Sequence, residues 1–227
     1  MSTDHDYSQK FTGGSFLAAA VMLWGGWMLL PVKLGTYFEV GDFAQIHEQL
    51  YFWIWTYRVH LFGIIFTAIA LVALAAWLAA SPARVVIWPG AAVATSGLIV
   101  SALAAAFYYH HGAWGAVSQA DKTSAEIQAF VTSLVNDTEY VTCLVRFGRV
   151  FAGLGLVLVG MGLLKWRLLA APLAWAAILL GVAAMALTML VSDELSLFMP
   201  VFHLQSLWLA AMGVSVLRGG LHVDRIA

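Results

Sequence analysis

The side chains able to do chemistry gather where apolar runs begin or end: Arg58 and His60, His110 and His111, Arg146 and Arg149, Asp193 and Glu194, and His203. Ionisable groups at the edge of a membrane-spanning run are costly to place in lipid, so those that serve a function face the protein interior or an aqueous cavity. Two histidines from different helices are what a b-type haem iron takes as ligands, through their neutral imidazole nitrogens. His60 and His203 form the first such pair, with His110 and His111 as replacements, and the same four are the candidate ligands for a transition metal. Arg58, Arg146 and Arg149 would complete a cofactor site with His60 and His203. A guanidinium there can pair with a haem propionate, a quinone headgroup, an anionic lipid or another anionic substrate.

Each of these residues also has a plainer role. An interfacial histidine commonly bonds to a carbonyl or a headgroup, and an arginine near a helix end snorkels to lipid phosphate. Spacing does not single out haem or metal: there is no Cys-x-x-Cys-His, no His-Glu-x-x-His, and no histidine pair one or two turns apart on one run. His110 and His111 are adjacent, so their side chains diverge on a helix. His47 could join His60 at one metal only if the chain between them bends.

The elements that must position these residues follow from composition. With 62% hydrophobic and 10% charged residues and a mean hydropathy of +0.87, the chain lies outside the range of soluble domains. A backbone in lipid must satisfy its own hydrogen bonds, and the apolar runs lack the alternation of barrel strands, so the fold class is all-α. Six runs reach the roughly 20 residues needed to cross the hydrocarbon, at about 15–34, 59–80, 86–109, 144–164, 169–191 and 199–217. The expected fold is therefore a single polytopic membrane domain over 1–227, with outer segments at 35–57 and 110–142. The first run is read as a retained span, since acidic residues precede it and no small-residue cleavage site follows it.

Thr123-Ser124-Ala125-Glu126 reads as a capping box, and Ile127, Phe130, Val131 and Leu134 follow at helical spacing. This predicts a short amphipathic helix on the outer surface. A second helix is expected to start at Asp42-Phe43-Ala44-Gln45 and run without a break into the second span. Tyr51, Phe52, Trp53, Trp55 and Tyr57 along it read as an interfacial aromatic belt. Gly148, Ala152 and Gly155 on one face of the fourth span, with Gly153 and Gly160 on another, predict close helix packing. The lone cysteine, Cys143, excludes an intrachain disulfide and is expected to be a small buried residue.

The spans also carry a faint repeat of two-helix units, with a polar signal opening the second, fourth and sixth: Tyr57-Arg58-Val59-His60, Arg146-Phe147-Gly148-Arg149 and Phe202-His203-Leu204-Gln205. Basic residues orient the whole. Lys10, Arg84, Lys165, Arg167, Arg218 and Arg225 share one side, which the positive-inside rule makes cytoplasmic, together with both termini. The expected location is the inner (cytoplasmic) membrane.

Net charge of −1 and the lack of a basic patch exclude nucleic-acid binding. No nucleophile elbow, phosphate loop, dinucleotide fingerprint or buried acid pair supports an enzyme. No acid occupies the centre of a span, as coupled transport would require. The leading expectation is an accessory or structural subunit of a larger inner-membrane complex, in contact with lipid and with other membrane subunits and without catalysis of its own. The alternative is a haem- or metal-binding redox protein built on the second, third and sixth helices, with haem b or a transition metal as cofactor. A further alternative is a carrier or enzyme for a lipid-like substrate.

Overall fold

A computed structural model describes residues 2–30, 36–191 and 195–221. Its six long apolar helices are α1 (Ser2–Met28), α3 (Leu50–Trp77), α4 (Arg84–Ser118), α6 (Val135–Lys165), α7 (Ala171–Leu190) and α8 (Leu195–Leu217), with two short ones, α2 (Val40–Glu48) and α5 (Ser124–Ser133). All six long helices are of a length and apolarity to cross a membrane, so this is a multi-pass, all-helical chain.

The six spans close into a ring. Each packs on two others, in the order α1, α3, α4, α6, α7, α8 and back to α1, and among the described residues no pair packs across the ring. Seams made by small residues are the tightest. Gly148 and Gly155 of α6 sit so close to α4 that a Cβ at Gly97 would lie 2.6 Å from the Gly148 carbonyl oxygen and 2.5 Å from the Ala152 nitrogen. Gly153 and Gly160 meet α7, where a Cβ would lie 2.7 Å from the Gly181 carbonyl and 2.8 Å from the Ala174 carbonyl respectively. Both faces predicted from the glycine spacing are therefore packing faces, and they meet different neighbours.

Where α1 begins and α8 ends, the Gln9 side-chain amide donates to the Leu217 carbonyl (3.0 Å), tying α1 to α8. The Trp208 indole donates to the Leu173 carbonyl (2.9 Å), tying α8 to α7. The hairpin turn at 78–83 is closed by the Ser81 hydroxyl, which accepts from the Ala83 nitrogen (3.1 Å).

The opposite side, expected from the sequence to face outward, differs from the sequence expectation. The helices run past the predicted spans: α3 begins at Leu50, α4 continues to Ser118 and α6 starts at Val135. The segments 36–57 and 110–142 are thus largely helix ends extended beyond the predicted spans, capped by α2 and α5. The helix at Asp42 is a separate element whose N-cap is Glu39, with Asp42 at its third position accepting from the Glu39 nitrogen (2.7 Å). It breaks at Gln49 (φ −119°, ψ 26°) before α3 begins.

The aromatic belt divides likewise. Tyr51, Phe52 and Trp55 are exposed, but Trp53 is fully buried with Phe43 and Ile46 in a small core beneath α2. Gly112 and Gly115 of α4 make room for it; a Cβ at Gly112 would meet the Trp53 indole at 2.6 Å. The capping box of α5 is present, with the Thr123 nitrogen (2.9 Å) and hydroxyl (2.8 Å) both donating to the Glu126 carboxylate, and Phe130 packs against Phe43 (5.5 Å). Cys143 is exposed rather than buried. It lies five residues before Gly148, about 140° around α6 from the face that meets α4.

Candidate functional site

The helix ring encloses a cavity of about 800 Å3, a volume typical of small-molecule sites. Its polarity is graded along the helix axes. The parts of the spans nearest α2 and α5 contribute Trp27, Tyr57, His60, Tyr108, Arg149 and His203; positions further along the helices contribute Ile64, Leu71, Ala94, Leu98, Leu156 and Leu209. No Asp or Glu lines it among the described residues.

Most hydroxyls on the wall are already committed. Tyr108 donates to the Thr36 carbonyl (2.9 Å) and Thr56 to the Leu29 carbonyl (3.3 Å). Thr67, Ser101, Thr142 and Ser206 donate to carbonyls one turn back on their own helices. Three ring nitrogens are not committed: Trp27 Nε1, His60 Nδ1 and His203 Nδ1 are buried and make no hydrogen bond among the described residues. A buried polar group without a partner costs about 1–3 kcal/mol, so three at one cavity wall make this the candidate site.

The three residues come from consecutive members of the ring, α3, α1 and α8. Trp27 stands nearly perpendicular to His60, ring centroids 5.4 Å apart, and lies 5.3 Å from Phe202. Phe202 is 6.1 Å from His60 and 6.1 Å from its neighbour His203. Gly26 permits this: a Cβ there would lie 2.8 Å from the His60 Cβ and 2.9 Å from its Cα. Across the ring from α1, Arg149 of α6 places its guanidinium 4.0 Å above the Phe198 ring.

Of the predicted site residues, His60, His203 and Arg149 therefore share one cavity. The others do not line it. Arg58 is exposed, with its guanidinium 5.4 Å from the Trp55 ring, and Arg146 is exposed on α6. His110 is exposed beside Trp114, and the His111 Nδ1–H donates to the Phe107 carbonyl (3.1 Å), the ordinary satisfied histidine of a helix. Asp193 and Glu194 lie outside the described residues. No group of three or more His, Cys, Asp and Glu able to hold a metal ion is present among the described residues. Sequence reasoning missed Trp27, because a tryptophan near a span end reads as part of the aromatic belt.

No family model, curated protein or solved structure matches this chain.

Proposed function

We propose that this protein binds an amphiphilic, lipid-like ligand in its central cavity, polar end outward and apolar body toward the middle of the membrane. The observation that carries the proposal is the pairing, in one cavity, of three unpartnered buried ring nitrogens at the outer end with an apolar inner end. The site binds its ligand as a carrier or as the ligand-holding subunit of a larger membrane assembly. The distribution of basic residues favours an orientation in which the side that carries Lys10, Arg84 and Lys165 is cytoplasmic, and the short loops on that side favour an inner membrane. Gentle purification followed by organic extraction and mass spectrometry tests the proposal: a stoichiometric amphiphile is expected, and a protein that carries and takes up none contradicts it.

A second reading, haem b, is favoured by one observation: two histidines on different helices share the cavity, neither hydrogen-bonded among the described residues. Haem needs only two protein ligands because the porphyrin supplies four, whereas a bare transition-metal ion draws three or four from the protein. Two imidazoles therefore suit haem better than an ion. A Soret band abolished by His60→Ala or His203→Ala supports haem, and a colourless protein from haem-replete cells contradicts it.

A further inference from the structure

We infer that the ligand head is a quinone ring: neutral, planar and bearing carbonyl acceptors, with an apolar tail in the deep part of the cavity. The inference rests on the amphiphile reading above and narrows its class.

What the uncommitted ring nitrogens offer is hydrogen-bond donors. An indole N–H donates only, so Trp27 needs an acceptor, and each neutral imidazole has one N–H to give. Arg149 of α6 lines the same cavity, with its guanidinium over the Phe198 ring (4.0 Å), one turn before Phe202. A neutral carbonyl head accepts from the indole and imidazole N–H groups and brings no charge of its own to be buried.

Shape leads to the same class. Trp27, His60 and Phe202 present ring edges and faces within 5.3–6.1 Å of one another, and aromatic surfaces of this kind favour a flat ring. The α4 wall, across from α8, contributes the small residues Ala104 and Ala105 and leaves space for one. A porphyrin disc held between the imidazoles fits less well, because the Phe202 ring stands beside both histidines at 6.1 Å.

The test uses purified full-length protein in phosphatidylcholine nanodiscs, titrated separately with decyl-tailed ubiquinone, oleate and haemin. Saturable quinone binding is expected, weakened about tenfold by Trp27→Phe, which keeps an aromatic ring and deletes the N–H. His60→Leu and His203→Leu should weaken it similarly. Trp53→Phe, which removes the other unpartnered buried indole N–H in the outer cap, should leave it within about twofold. Thermal unfolding separates loss of binding from loss of fold, and Trp27→Phe decides the matter if the histidine variants do not fold. Quinone affinity unchanged by Trp27→Phe in a folded protein overturns the inference. Saturable oleate without quinone overturns it but leaves the amphiphile reading standing, and haemin bound with a Soret shift that needs His60 and His203 overturns it in favour of haem. Binding of none of the three overturns both the inference and the amphiphile reading.

Discussion

Gly26→Ala couples packing to the site and gives the sharpest mutational expectation. The added methyl carbon would lie 2.8 Å from the His60 Cβ, 2.9 Å from its Cα and 3.0 Å from its nitrogen, whereas carbon atoms in contact settle at about 3.5–4.0 Å. The atoms that must yield are largely backbone, so no rotamer change relieves the clash, and α1 and α3 must part locally by about 0.7–1 Å. Overpacking of this kind costs about 1–3 kcal/mol, or roughly 2–12 °C of unfolding temperature for a chain of this size. The displacement falls on His60 and on the Trp27–His60 ring contact, so losing one hydrogen bond to the ligand should lower affinity by about five- to tenfold. Gly25→Ala is the matched control. Nothing lies within 4 Å of a Cβ there, and alanine's helix preference makes it neutral or stabilising by up to about 1 kcal/mol. Thermal unfolding in detergent, with ligand titration on the same preparations, reads both effects. A Gly26→Ala protein as stable and as ligand-competent as Gly25→Ala would refute the reasoning.

Other expectations follow from the outer cap and the seams. Trp53 is fully buried, so Trp53→Ala should cost about 3–5 kcal/mol and raise hydrogen exchange in α2 first, as measured by mass spectrometry. Thr123→Ala removes the N-cap of α5, and amides of its first turn should exchange about fivefold faster. Hydrogen bonds from the Thr123 backbone and hydroxyl hold the Glu126 carboxyl below its ordinary 4.5, whereas burial raises Asp42 above its ordinary 3.8. The stability that Glu126 gives α5 is therefore present above the unfolded value and lost as pH falls through the folded one. For Asp42 the sign is opposite, because acid protonates a carboxylate that burial disfavours. Exchange measured from pH 7 down to pH 3.5 should loosen the first turn of α5 before α2. With Cys143→Ser as background, a cysteine placed at Asp121 on the α4–α5 turn should react with a membrane-impermeant maleimide in intact cells. Labelling only after lysis would reverse the orientation.

The sequence carried the number of spans, the α5 capping box and the two small-residue faces of α6 because each depends on local chemistry. Hydrocarbon demands about 20 apolar residues, a cap demands Thr and Glu three apart, and close approach demands glycine. What it withheld was rotational phase. These spans are apolar nearly all round, so their residues do not say which face turns inward. Arg58 and His60 stand two residues apart on α3, yet only His60 reaches the cavity. Arg146 and Arg149 are split in the same way on α6. Trp27 and Trp53 looked like belt residues until the ring closed around one and α2 covered the other. The break at Gln49 was illegible because the residues on both sides of it favour helix.

Occupancy of the cavity is the central claim, and blocking it is the most direct test. Ala105→Trp places an indole on the α4 wall of the cavity, opposite α8, where it takes up space the ligand would fill. Mass spectrometry of organic extracts from wild type and Ala105→Trp, purified identically from the same membranes, should find a lipid-soluble molecule near one per chain in the wild type and little or none in the variant. An equal amount of the same molecule on a folded Ala105→Trp protein, or none on the wild type, would contradict the account.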